Sequence, residues 1–165
     1  KKENVDMLRV TKELMQDIPL AIEFRNQTWF RGENKEKTIE FISREGWIHS
    51  VCDEPQVGEG SAPAVISATH PELTIVRMHG RNSAGWVNNG EQDWREVRFL
   101  YRYNSEELEE WKQHVLTLHE QSKDVVVLFN NNSGGDAADN AKAFMKLCGL
   151  EYEGLGPRQI NIFEV

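Results

Sequence analysis

The stretch Thr74-Ile75-Val76-Arg77-Met78-His79 decides the fold. Successive side chains of a strand point to opposite faces, so Val76 and Met78 oppose Ile75, Arg77 and His79. One face is apolar throughout, and the other turns ionisable towards the C-terminal end. Working outward, Leu20-Ala21-Ile22-Glu23-Phe24-Arg25 repeats the pattern. Leu20, Ile22 and Phe24 share one face, and Ala21, Glu23 and Arg25 the other. In Trp47-Ile48-His49-Ser50-Val51-Cys52-Asp53 the residues His49, Val51 and Asp53 share a face. Grouping Asp53 with the other strand-end charges places Cys52 on the helix side. Val125-Val126-Val127-Leu128-Phe129 is almost unbroken apolar sequence, as expected of a strand buried on both faces.

Helical periodicity fills the intervals. Residues 3–16 read as a helix with Val5, Leu8 and Leu14 among charged neighbours. A second runs from Asn34 as N-cap, through Ile39, Phe41 and Ile42, to Gly46 at C′. Residues 54–72 read as loop, punctuated by Pro55, Gly58, Gly60, Pro63 and Pro71. Residues 80–104 form a long connection. Ser105 is expected to cap a helix that carries Leu108, Trp111, Val115 and Leu118 on one face. Asp136 is expected to cap the last helix, which ends at Gly149. Residues 150–165 form a tail with an extended stretch at Gln159–Phe163.

Such alternation implies a parallel sheet covered by helices within a single domain, residues 1–165. An open doubly wound sheet would bury Glu23, Arg25, Arg77 and His79 under helices, which is costly unless each is paired. A barrel sends its apolar strand faces to the helices and gathers polar residues at the strands' C-terminal ends, where this fold holds catalytic groups. Parity therefore predicts an α/β chain forming about four βα units of a TIM-type (β/α)8 barrel.

Composition narrows the function classes. The chain has 165 residues, 39% hydrophobic and 28% charged, with a formal charge of −8. That charge argues against a mainly electrostatic grip on nucleic acid, though not against a local basic pocket. No apolar run is long enough to span a bilayer. Two cysteines, Cys52 and Cys148, make neither a disulfide framework nor a metal-ligand spacing. Free thiols and the lack of an apolar signal region point to the cytoplasm, and no membrane partner is expected.

Four ordered blocks resemble a known family. They are Ala21-Ile22-Glu23-Phe24-Arg25-Asn26-Gln27-Thr28-Trp29-Phe30, Ile75-Val76-Arg77-Met78-His79-Gly80-Arg81, Tyr101-Arg102-Tyr103 and Phe129-Asn130-Asn131-Asn132, with Asp53-Glu54-Pro55 between the first two. They look like the signature blocks of the YecE-like family, domain of unknown function 72. The resemblance implies a TIM-type barrel of roughly 250 residues or more. The present residues would be its C-terminal part, strands five to eight with a preceding helix. The N-terminal half is then absent from this chain, and either that half or a second copy of the chain is the expected partner. The family brings no settled activity with it.

Glu23 and Asp53 are candidate general acids or bases, with His79 as a second proton carrier. The same three could offer a divalent cation oxygen and nitrogen ligands, but no ligand spacing favours a metal, and the cofactor stays unknown. Arg25, Arg77 and Arg81 suit carboxylate or phosphate oxygens, with Arg102 within reach on the long connection. Asn130, Asn131 and Asn132 are expected to orient a ligand. Gly134-Gly135-Asp136 is either a tight turn or a helix N-terminus offering N–H groups to phosphate. Trp86, Trp94, Tyr101 and Tyr103 either stack on a ring of the substrate or pack the connection onto the rim. Structural alternatives stand beside these: Glu23–Arg25 and Asp53–Arg77 ion pairs, and His79 as a hydrogen-bonded core histidine. The leading expectation is an enzyme, of hydrolase or lyase type, acting on a small or oligomeric anionic, phosphate-containing substrate. The alternative is a non-catalytic module that binds nucleic acid or a metabolite in the same pocket.

Overall fold

The computed structural model describes residues 2–86, 97–131 and 135–151. Four strands, β1 (Ala21–Ile22), β2 (Ile48–Asp53), β3 (Leu73–Met78) and β4 (Asp124–Phe129), form one sheet. Every neighbouring pair is parallel and the order is β1-β2-β3-β4. The helices are α1 (Lys2–Met15), α2 (Asn34–Arg44), a short α3 (Ser83–Trp86), α4 (Ser105–His119) and α5 (Asp136–Leu147). No described helix is long and apolar enough to cross a membrane. The connection 54–72 contains no helix. Trp94, Asn132, Gly134 and the Gln159–Phe163 stretch lie outside the described residues.

The helix-covered side holds two apolar clusters. Val51, Val76 and Met78 pack with Leu108, Trp111 and Leu118 of α4 and Phe144 of α5. Ile22 and Phe24 pack with Ile42 of α2, Phe30, Trp47, Ala62 and Val65. Strand β3 alternates half-buried and buried residues along its length, as its sequence predicts. On its opposite face Leu73, Ile75 and Arg77 are half-buried, and Val126 (43% exposed) and Leu128 (44%) continue that face on β4, so β4 is not buried on both faces as its apolar sequence predicts.

Several boundaries differ from expectation. The β1 ladder has only two residues, because Glu23, Phe24 and Arg25 continue past the end of its pairing with β2. Asn34 is the first helical residue rather than the cap, and its side-chain Nδ2 donates to the Thr28 carbonyl. The α4 cap is Asn104, not Ser105: its side chain accepts from Glu106 and Glu107 N–H groups, while the Glu107 carboxylate accepts from Asn104 N–H. At α5 the cap position is Gly135, in left-handed backbone (φ 111°), with Asp136 the first helical residue. Gly46, with φ 71°, ends α2 as expected.

Candidate functional site

Register assigns the faces. Residues paired across a parallel ladder point the same way, and Cys52 pairs with Arg77 while Asp53 pairs with Met78. Cys52 therefore lies on the open face with Arg77, and Asp53 on the helix-covered face. Both placements reverse the sequence expectation. The reason is that β2 is buried on both faces along all six residues, so its alternation carries no contrast.

At the C-terminal rim of the open face, Glu23 sits between two arginines. Its Oε1 accepts from Arg25 Nη1 at 2.7 Å and its Oε2 from Arg77 Nη1 at 2.5 Å. Each arginine engages the carboxylate through one terminal nitrogen, and both side chains remain about a third exposed (37% and 31%). His79, 2% exposed, places Nε2 3.3 Å from Arg25 Nη1 and 3.6 Å from Glu23 Oε1. Its ring lies against Phe99 and Trp86, and its Nδ1 is buried without a hydrogen-bond partner among the described residues. Burial pushes the Glu23 carboxyl up, but nearby His79 and the hydrogen bonds from Arg25 and Arg77 outweigh it and hold the group far below the usual carboxylate range.

Glu54 belongs to this cluster, and the sequence did not single it out. Its Oε1 accepts from the Ala62 N–H, and its Oε2 lies 3.5 Å from the same Arg25 Nη1. The side chain is fully enclosed, and burial raises its pKa despite the Ala62 and Arg25 contacts. A carboxyl directly after a strand and before Pro55 is the signal that could have found it. Arg98 stacks on Trp86, with its guanidinium carbon 3.9 Å from the ring centroid, and closes the cluster from the long connection.

Glu23, Cys52 and His79 bring a carboxylate, a thiol and an imidazole within 4.8 Å of one another. The arrangement does not suit a cation. Arg25 Nη1 already stands between Glu23 and His79, and Arg77 takes the second Glu23 oxygen. Burial and the neighbouring Glu23 and Glu54 charges drive the Cys52 thiol pKa upwards, which disfavours the thiolate that a nucleophile needs.

Asp53 anchors a second network, on the other face. It accepts from Arg81 Nε at 2.9 Å and from the Tyr103 hydroxyl at 2.7 Å. Arg81 also meets Glu110 at 3.1 Å and Glu107 at 3.6 Å, so three carboxylates hold it. The Asp53–Arg77 pair weighed from sequence is thus replaced by Asp53–Arg81, and only the Glu23–Arg25 pair appears as read. Tyr101 donates to Glu107 Oε1 at 2.5 Å, and burial with that carboxylate pushes its pKa up to about 12. Burial and Asp53 raise Tyr103 further. Asn131 is fully buried and donates to the Tyr101 carbonyl and to Asn140 Oδ1. Asn140 in turn bonds both backbone groups of Tyr103. Asn130 is half-buried, its N–H bonded to the Met78 carbonyl. Arg102 is exposed and pairs with Asp136 and Asp139. The structure therefore brings Glu23, Arg25, Arg77 and His79 together. It puts Asp53, Arg81, Tyr101, Tyr103 and Asn131 into the network that fastens the long connection.

A parallel α/β sheet with its ionisable cluster at the C-terminal strand ends is the class that fold and site define. The family model described as "Protein of unknown function DUF72" matches residues 1–161, and the chain belongs to that family. Among its relatives is the UPF0759 protein YunF of Bacillus subtilis (strain 168), 59% identical over 164 residues, which are 99% of this chain and 58% of the relative. A crystal structure of a DUF72 family protein from Enterococcus faecalis V583 matches with TM-score 0.89 and 38% identity, covering 98% of this chain and 58% of that one. A second, from Thermotoga maritima MSB8, matches with TM-score 0.78 and 33% identity, covering 90% and 53%. The chain thus spans little more than half the length of these relatives.

Proposed function

We propose that the rim is an acid–base site for a small or oligomeric anionic substrate, a phosphate ester being the best chemical fit. The observation that carries this is the pair of half-engaged guanidinium forks. Arg25 and Arg77 share the Glu23 carboxylate, each through one terminal nitrogen, and each has hydrogen-bond donors left. Forks of this kind recognise oxyanions bidentately. Glu23, kept ionised, orients both arginines, and His79 is the proton carrier beside it. Asp53 acts at one remove, by holding Arg81 and Tyr103. The reading includes closure of the sheet as a (β/α)8 barrel. Unreversed strand order with helices on one face supports it, as do the apolar residues of the other face, which a further half barrel would cover. The free thiols fit a reducing, cytoplasmic setting.

Calorimetry with inorganic phosphate tests the reading. Arg77→Gln should weaken binding by about 1.5–3 kcal/mol, the worth of a charge-assisted hydrogen bond. Arg81 is unsuitable as a control because three carboxylates hold it, whereas exposed Arg102→Ala should leave affinity unchanged. Absence of phosphate binding in the folded protein would contradict the anionic-substrate reading.

A further inference from the structure

The cluster's charge balance depends on one group. Arg25, Arg77 and Arg98 bring three positive charges and Glu23 one negative charge, so a neutral Glu54 leaves the larger positive surplus for an incoming anion. An ionised Glu54 halves that surplus. It acts on the guanidinium that an anion would use: Glu23 Oε1, His79 Nε2 and Glu54 Oε2 converge on Arg25 Nη1, at 2.7, 3.3 and 3.5 Å, and leave the other nitrogens of that fork to the anion. We propose that Glu54 couples anion binding at Arg25 to the uptake of a proton, so that the site takes its substrate with Glu54 in the neutral carboxylic-acid form. The proposal rests on the anion-site reading above and adds its regulation by pH.

Burial favours this form. The Glu54 side chain is fully enclosed, and among the described residues its Oε2 has only the Arg25 contact at 3.5 Å and no hydrogen bond, so its ionised state is poorly compensated. Arg25 is the main charge opposing protonation, and an anion bound there offsets it. The other groups facing Glu54 are accounted for. Ala62 N–H binds Oε1 from the 54–72 connection. Glu23 and His79 approach from the ends of β1 and β3, and Arg98 from the long connection. Cys52 of β2 remains a neutral thiol. Asp53 is tied to Arg81 and Tyr103 on the opposite face.

Sulfate is the suitable probe, because unlike phosphate it does not itself titrate near neutrality. Sulfate binding is measured calorimetrically in pairs of buffers with different ionisation enthalpies, from about pH 5 to about pH 8. The dependence of the observed heat on the buffer gives the protons taken up per anion. The expected result is uptake of up to one proton, with affinity falling by up to about tenfold per pH unit across the linked window. Glu54→Gln should bind sulfate with no uptake and no pH slope. Sulfate binding to wild type without proton uptake would overturn the coupling and leave the anion site standing. Unchanged uptake in Glu54→Gln would assign the proton to another group and likewise overturn it. Failure of sulfate to bind at any of these pH values would overturn the anion site and the coupling together. If Glu54→Gln does not fold, absence of uptake in wild type still overturns the coupling, and Glu54→Ala takes the variant's place in assigning the proton.

Discussion

Replacing Glu23 by Gln takes away the anion that separates Arg25 from Arg77, leaving two facing guanidinium groups. With the carboxylate largely buried, the loss should be about 3 kcal/mol at neutral pH. The folded pKa of Glu23 is depressed, so its contribution is complete above the ordinary carboxylate range and is lost as pH falls through the folded value. Urea unfolding should show the gap between wild type and variant closing in acid; a pH-independent gap would contradict the ion-pair account. Glu54 has the opposite sign. Its folded pKa is raised, so stability is fully present below the unfolded value and is lost as pH rises through the folded one. Gly80 is a steric case: φ is +88°, and an added Cβ would lie 2.5 Å from the Tyr101 Cβ. Gly80→Ala should therefore cost at least about 1–3 kcal/mol, and a smaller loss in thermal unfolding would show that Tyr101 yields. At this scale the sequence was legible where burial alternates. Glu23, Arg25, Arg77 and His79 could be grouped because β3 is half-covered on one face. Cys52 and Asp53 were exchanged because β2 is covered on both. Glu54 escaped notice because the 54–72 connection, not a strand, encloses it.

Among the elements, α4 shows how local chemistry sets a boundary. Asn104 and Ser105 are both good N-caps, but only Asn104 has Glu107 three residues on to complete the reciprocal capping box. Asn104→Ala should cost about 1 kcal/mol, whereas Ser105→Ala should be nearly neutral; the reverse order in chemical denaturation would contradict the cap assignment. This boundary was readable from the Asn104-x-x-Glu107 spacing and was missed by one residue. The shortness of β1 was not readable, since ladder length depends on where the partner strand diverges. The long connection was legible only as loop. Its fastening by Asp53–Arg81, Tyr103 and the Asn131–Asn140 bridge joins residues 28 to 50 positions apart or folds back through α5, and such pairings leave no periodic trace.

In the molecule as a whole, all four strands are parallel and in sequence order, one face is packed, and the other is partly bare. The class of fold was legible in the alternation of apolar strands with amphipathic helices. What covers the open face was not, because exposed Val126 and Leu128 say only that something apolar belongs there. Residues 1–165 by themselves should self-associate through this face and the open sheet edges. Sedimentation should show Leu128→Glu reducing that association, and a sharply unfolding wild-type monomer would contradict the proposed closure. The central claim, that Arg25 and Arg77 form an anion site at the strand ends, is tested most directly by a crystal of the protein soaked in tungstate. The anomalous map should place the metal oxyanion within hydrogen-bonding reach of both guanidinium groups. A well-ordered rim with the Glu23 clamp intact and tungstate bound elsewhere, or nowhere, would contradict it.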